Sequence, residues 1–146
     1  MNQGKIVQVI GSTVDVEFPS GQLPDINHAL KIKGEAKGYA IDLTLEVHQH
    51  LGHHRVRSVA LGATDGLVRG MKVENTGAPV KVPVGQETLG RVFNLLGQPI
   101  DKQGECAASE WRPIHQPSPK FIELEPKTEI FETGIKVVDL LAPYVK

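Results

Sequence analysis

Lys5-Ile6-Val7-Gln8-Val9-Ile10-Gly11-Ser12-Thr13-Val14-Asp15-Val16-Glu17-Phe18 is the stretch whose reading decides the fold. Its second half alternates strictly, with Val14, Val16 and Phe18 on one side and Asp15 and Glu17 on the other. That is the period of a strand with one face buried. The first half is β-branched and partly alternating, and Gly11-Ser12-Thr13 between the halves is turn chemistry. The stretch reads as two short strands joined by a tight turn, each with one apolar face to hide.

The same pattern continues downstream. Pro19-Ser20-Gly21 and Pro24 interrupt it. Further strands follow at 29–33, at 41–47 with apolar residues at every second position, and at 56–61 beyond a turn at Gly52. A sixth, at 71–74, ends on Asn75-Thr76-Gly77. Six short strands with one apolar face each are hidden most economically by a sheet closed on itself, which removes the edges and creates one interior. A sandwich is the alternative. The chain is therefore mainly β, with a six-stranded closed barrel as an N-terminal domain over residues 1–77.

Residues 78–146 have another character. Val80-Lys81-Val82-Pro83-Val84 alternates, but Pro83 restricts it to an edge or terminal strand. Residues 89–97 read as a strand and turn. Residues 4–15 and 90–101 echo one another through both glycines and a terminal Asp, as two strand–glycine turn–strand units do without being a repeat. Pro113, Pro117, Pro119 and Pro126 mark an extended connector over 111–126. The period then changes: Ile135, Val138, Leu141 and Ala142 share a helical face, Thr133 is the expected N-cap and Pro143 ends the helix. So short a helix needs a body to pack on. From about residue 80 onward, apolar strand edges and this helix face are expected to lie uncovered.

Sixteen Lys and Arg against seventeen Asp and Glu give a net charge of -1, which offers no basic excess for nucleic acid. One cysteine, Cys106, precludes an internal disulfide and makes a reducing compartment the default. The N-terminus opens directly into a strand-like run, without a signal- or transit-peptide pattern. No apolar run approaches the roughly 20 residues of a membrane-spanning helix.

Candidate sites are few. Gly85 and Gly90 have the spacing of a phosphate loop, but Arg91 stands where the loop needs lysine and Val92 where it needs a hydroxyl, so the segment reads as a turn and strand start. His48, His50, His53 and His54 form the one metal candidate, with His48 and His50 on one strand face and the other two across the turn. Zinc binding needs a converging ligand set, and the default for loop histidines is solvation, so no metal site is assigned. Cys106 has no base beside it and reads as an inert thiol. Trp111 reads as a packing anchor for the connector. Glu123, Glu125, Glu129 and Glu132 read as solvated charges and not an acid/base pair. No catalytic and no cofactor-binding residue is assigned in this chain.

One series of segments is specific. Gly66-Leu67-Val68-Arg69-Gly70, Val82-Pro83-Val84-Gly85, Glu87-Thr88-Leu89-Gly90-Arg91-Val92 and Gly97-Gln98-Pro99-Ile100-Asp101 occur in order. They are followed by Pro113-Ile114-His115 and by Glu132-Thr133-Gly134-Ile135-Lys136-Val137-Val138-Asp139-Leu140-Leu141-Ala142-Pro143-Tyr144. The series resembles the β subunits of F-type ATP synthases from Gly4 onward. It departs from them in loops, chiefly the histidine-rich hairpin and residues 103–109. The resemblance implies a crown barrel that alternates with α-subunit barrels in a ring. It further implies that residues 78–146 are a linker and the beginning of an α/β nucleotide-binding domain, incomplete because the phosphate loop follows the Ala-Pro-Tyr motif. The complete subunit would make or hydrolyse ATP with Mg-ATP/ADP, coupled to proton or sodium transport. This chain would supply ring contacts without turnover and bind no nucleotide itself. The implied location is the cytoplasmic face of a bacterial inner membrane, peripheral through the complex, with the plastid thylakoid as alternative. Against this stand two other readings: a free-standing β-barrel interaction module, and a metal-binding hairpin protein built on the histidines.

Overall fold

The computed structural model describes residues 2–36, 38–124 and 129–145. Met1, Glu125, Pro126 and Lys146, which enter the sequence reading, lie outside the described residues. By its contacts the chain divides into two compact units, Met1–His115 and Gln116–Lys146. Among the described residues no helix is long and apolar enough to cross a membrane.

The first unit is built on six strands: β1 (Gln3–Ile10), β2 (Thr13–Glu17), β3 (His28–Ala36), β4 (Tyr39–Gly52), β5 (Arg55–Ala60) and β6 (Lys72–Pro79). They close in the order β1-β2-β5-β4-β3-β6, with every pairing antiparallel. The sheet is the closed barrel expected from the alternation, and not a sandwich. Val14, Val16, Leu30, Ile32, Leu45 and Val56 point inward and are fully buried, each contributing about 1.5–3 kcal/mol of transfer free energy.

The irregular phase of β1 has a physical cause. Ile6 pairs with Val16 and Gln8 with Asp15, so the register shifts at Val7. A bulge of this kind sends Ile6 and Val9 inward although they are three residues apart. Ile10 and Thr13 then face each other across a two-residue turn with Gly11 at φ 57°. Gly4 sits at the seam, opposite Val73 of β6. A Cβ there would lie 2.8 Å from the Glu17 carbonyl oxygen and 2.8 Å from Val16 Cγ1.

Several boundaries differ from the sequence reading. β4 runs on to Gly52 because two register shifts, between Val47 and Gln49 and between His50 and Gly52, hide the alternation. The turn itself is His53-His54, both with positive φ (49° and 61°), a conformation in which histidine is enriched among non-glycine residues. β6 extends to Pro79, which pairs with His28 past a further register shift.

Beyond the barrel, β7 (Lys81–Val84) pairs with β8 (Glu110–Pro113), placing Pro83 opposite Trp111. The first residues of the expected connector are therefore a strand. Residues 89–97, expected to hold a strand, form none; only Phe93 and Pro99 make an isolated bridge. Two backbone bonds, from the Asn94 N–H to the Gln98 carbonyl and from the Ile100 N–H to the Val92 carbonyl, are supplemented by side chains: Asn94 Oδ1 accepts the Leu96 and Gln98 N–H groups, and Asp101 Oδ2 accepts that of Val92. Gly97, at φ 74°, passes so close to β7 that a Cβ would lie 2.5 Å from Pro83 Cδ. Leu96 reaches the outer face of the barrel, sharing one cleft with Thr44 and Leu61 and another with Ala29 and Lys31.

In the second unit, β9 (Ile130–Phe131) and β10 (Tyr144–Val145) pair antiparallel on either side of α1 (Lys136–Leu141). The helix is shorter than the apolar spacing predicts, and its N-cap is Ile135, without a side-chain cap bond. Thr133 instead donates its N–H and hydroxyl to Asp139 Oδ1, while Gly134 donates to Oδ2. Asp139 lies in the helix and reaches back, so the segment is fixed by a carboxylate facing the preceding turn and not by a threonine facing the helix. No residue of α1 is buried, and Leu140 and Leu141 are strongly exposed.

Candidate functional site

The glycine-spaced segment shows what Arg91 does in place of a phosphate-loop lysine. Gly85, at φ 113°, leads into a 3-10 turn at Gln86–Thr88, and Thr88 Oγ1 donates to the Gly85 carbonyl at 2.7 Å. Arg91 donates from Nε to Asp101 Oδ2 at 2.6 Å and from Nη2 to Oδ1 at 3.1 Å. Nη2 also donates to the Gly104 carbonyl at 2.6 Å. The guanidinium, 6.0 Å from the Phe93 ring centroid, is thus engaged on one side by a carboxylate and on the other by a carbonyl. This bidentate pair is strong and directional. With the Gln103 and Val92 N–H groups it holds the Asp101 carboxyl well below the usual carboxylate range, against an opposing push from burial. The segment is a brace between residues 85–92 and 101–104.

The four histidines do not converge. The register shift between Val47 and Gln49 breaks the alternation that would put His48 and His50 on one face. His50 Nε2 bonds the Pro24 carbonyl at 2.8 Å, and Pro24 is itself fully buried, so this imidazole fastens the loop of residues 19–27 to the barrel. His53 and His54 form the turn, and the His54 carbonyl accepts the Phe18 N–H at 2.9 Å. Among the described residues no group of three or more His, Cys, Asp or Glu side chains is placed to hold a metal ion.

The other candidates fall into structural roles. Cys106 Sγ donates to the Glu87 carbonyl at 3.5 Å, tying residues 103–109 to the 3-10 turn. Trp111 lies in β8 beside Gly97, where a Cβ would come within 3.4 Å of its ring, so it packs on a turn of the same lobe. Glu123 accepts the Lys120 N–H in a local turn, and Glu129 and Glu132 are exposed.

The sequence reading missed the charged belt of the barrel. On the outer face of β2 and β5, Asp15 stands opposite Arg57 and Glu17 opposite Arg55. Arg57 reaches both oxygens of Asp15 at 2.9 Å, and Arg55 reaches Glu17 at 3.1 Å. Opposite charges directly across an antiparallel pair reinforce its register. The strict alternation of residues 14–18 placed the two acids outward; only the pairing of β2 with β5 could name their partners.

The described residues thus offer a closed barrel with a charge-paired flank, a braced lobe, and a second unit with apolar residues exposed. Residues 6–77, which span the barrel, match the family model described as ATP synthase alpha/beta family, beta-barrel domain. The match is to the barrel and stops short of residues 78–146.

Proposed function

We propose that the chain is the barrel-bearing portion of a catalytic β subunit of an F-type ATP synthase. In this reading it contributes ring contacts to the soluble head, and the nucleotide chemistry belongs to residues outside the sequence described. One observation carries the reading. A closed barrel that matches the α/β family over residues 6–77 is followed, in the same chain, by the β-subunit-like run from Glu132 to Tyr144.

The partners in this reading are α subunits alternating with β subunits. Mg-ATP and Mg-ADP are ligands of the complete subunit, coupled to proton or sodium transport. The complex sits peripherally on the cytoplasmic face of a bacterial inner membrane, or on a plastid thylakoid. Residues 1–77 serve as the crown domain and residues 78–146 as linker and beginning of the nucleotide-binding domain.

Reading the coding sequence beyond Lys146 tests this directly. A Gly-x-x-x-x-Gly-Lys-Thr within about a few dozen codons is expected, and a stop codon at that point would overturn it in favour of a free-standing barrel module. For the 146-residue chain alone, calorimetry is expected to show no saturable binding of ATP. Stoichiometric binding would contradict the absence of a nucleotide site in it.

A further inference from the structure

Within the first unit, a cleft of about 330 Å³ separates the barrel wall from the lobe that follows it. Its volume is at the small end of the range for ligand pockets. Lys31 and Thr44 line it from β3 and β4, where they are cross-strand partners, and Lys81, Leu96 and Gln98 line it from the lobe. Leu43, Leu45 and Val47 fill the barrel core, so Thr44 among them faces outward. Thr44 nevertheless keeps only 6% of its exposure, and its hydroxyl has no hydrogen-bond partner among the described residues. A buried hydroxyl left unpaired is costly.

The polar groups of this cleft are unequally engaged. The acceptors are taken: Thr76 Oγ1 lies 2.8 Å from the Ala29 carbonyl and 2.9 Å from that of Ala78. The Val80 carbonyl accepts the Ile114 N–H at 3.0 Å, and Gln98 Oε1 accepts from Asn94 Nδ2 at 2.9 Å. The donors are not. The Lys31 and Lys81 ammonium groups have no ion-pair or hydrogen-bond partner among the described residues, and Gln98 keeps its amide N–H groups. Carboxylates on neighbouring strand positions do not line the cleft. Glu46 lies 3.0 Å from His115 Nε2, and Glu74, the β6 partner of Lys31, accepts from Gln3 at 3.4 Å.

We propose that this cleft binds a small organic carboxylate. The anionic group sits between Lys31 and Lys81 and accepts from the Thr44 hydroxyl and the Gln98 amide. The apolar body lies against Ala78, Pro79 and Leu96, which line the same cleft. A carboxylate only accepts, so it matches a set of free donors whose neighbouring acceptors are spent. Two flexible ammonium groups can close on one carboxylate, and the apolar wall favours a ring or short chain over a fully hydrated ion.

Two-dimensional NMR of the isotope-labelled 146-residue chain, titrated with sodium benzoate while sodium chloride holds the ionic strength constant, tests this. Saturable shifts are expected at the Lys31, Thr44 and Gln98 amides. Thr44→Val, nearly isosteric, removes the buried donor and is expected to weaken binding about five-fold. Lys31→Gln and Lys81→Gln are expected to weaken it about three-fold each; both lie at the surface, so they keep the test decisive if Thr44→Val disturbs the barrel. Lys72→Gln, the same charge change on β6 outside the cleft lining, is expected to leave affinity unchanged. Benzyl alcohol lacks the charge and inorganic phosphate the apolar body, and each is expected to bind at least about five-fold more weakly than benzoate. Benzoate affinity unchanged in both lysine variants would overturn the proposal. So would phosphate or benzyl alcohol binding as tightly as benzoate, or shifts that fail to saturate and spread over the surface.

Discussion

Replacing Gly4 by alanine tests whether the barrel seam is as tight as its geometry implies. Gly4 has no left-handed backbone requirement, so conformational entropy alone predicts that alanine stabilises by about 0.4–1 kcal/mol. Packing predicts the opposite. The new Cβ would lie 2.8 Å from the Glu17 carbonyl oxygen, 2.8 Å from Val16 Cγ1 and 3.0 Å from Phe18 Cε1. The first of these is backbone and cannot rotate away; moving it disturbs the Glu17–Arg55 pairing on β5 as well as the Lys5–Glu17 pairing on β1. Overpacking of this kind costs about 1–3 kcal/mol, leaving a net loss of about 1–2 kcal/mol after the entropic gain. Urea denaturation followed by far-UV circular dichroism is expected to show that loss, with a fall in Tm of about 5–10 °C. Gly34→Ala is the control, because its Cβ would meet only the flexible end of Met71, at 3.3 Å. It is expected to stay within about 0.5 kcal/mol of the parent. A Gly4→Ala variant as stable as the parent, or less affected than Gly34→Ala, would refute the close-approach argument.

Two further substitutions probe polar groups. Ser58 Oγ is buried in the barrel interior with no hydrogen-bond partner among the described residues, so Ser58→Ala should be neutral or stabilise by up to about 1 kcal/mol; a clear loss of stability in urea denaturation would show that the hydroxyl has a partner. Asp101 has its folded-state pKa depressed below the unfolded value, chiefly by Arg91. Its contribution to stability is therefore present above the unfolded carboxylate range and is lost as pH falls through the depressed value. Asp101→Asn should weaken the lobe at neutral pH and flatten its acid dependence, read as amide exchange at Val92 and Gln103; an unaltered acid limb would contradict the assignment.

Alternation made the barrel legible. Val14 and Val16 on one side, Asp15 and Glu17 on the other, specify a half-buried strand whatever its neighbours are. Legibility failed where backbone pairing is too sparse to make a ladder. Around Asn94 and Asp101 an isolated bridge is reinforced by carboxylate and amide oxygens, so a run rich in apolar residues holds no strand. It also failed where the register slips: His48 and Leu51 fall at shifts in β4, and a two-residue period read along the sequence stops at Val47. β8 is four residues with a proline, and only its pairing with β7 makes it a strand. The exposed apolar residues of α1 were legible as an uncovered helix face, because the apolar spacing of residues 135–142 marks a stripe that so short a helix cannot bury by itself. The Glu46–His115 contact was not legible at all, since nothing local links residues 69 positions apart.

The closing seam also sets the order of events during synthesis. β1 pairs with β6 through Gln3 and Glu74, so the first strand made waits for the last before the ring is complete. Local hairpins such as β1–β2 and β3–β4 can form as they emerge, but the β1–β6 pairing must close a loop of nearly the whole barrel. Until then both of those strands present open edges, which are templates for pairing with another chain. The interval between translation of residue 10 and residue 79 is therefore the period in which the nascent chain is most exposed to misassembly.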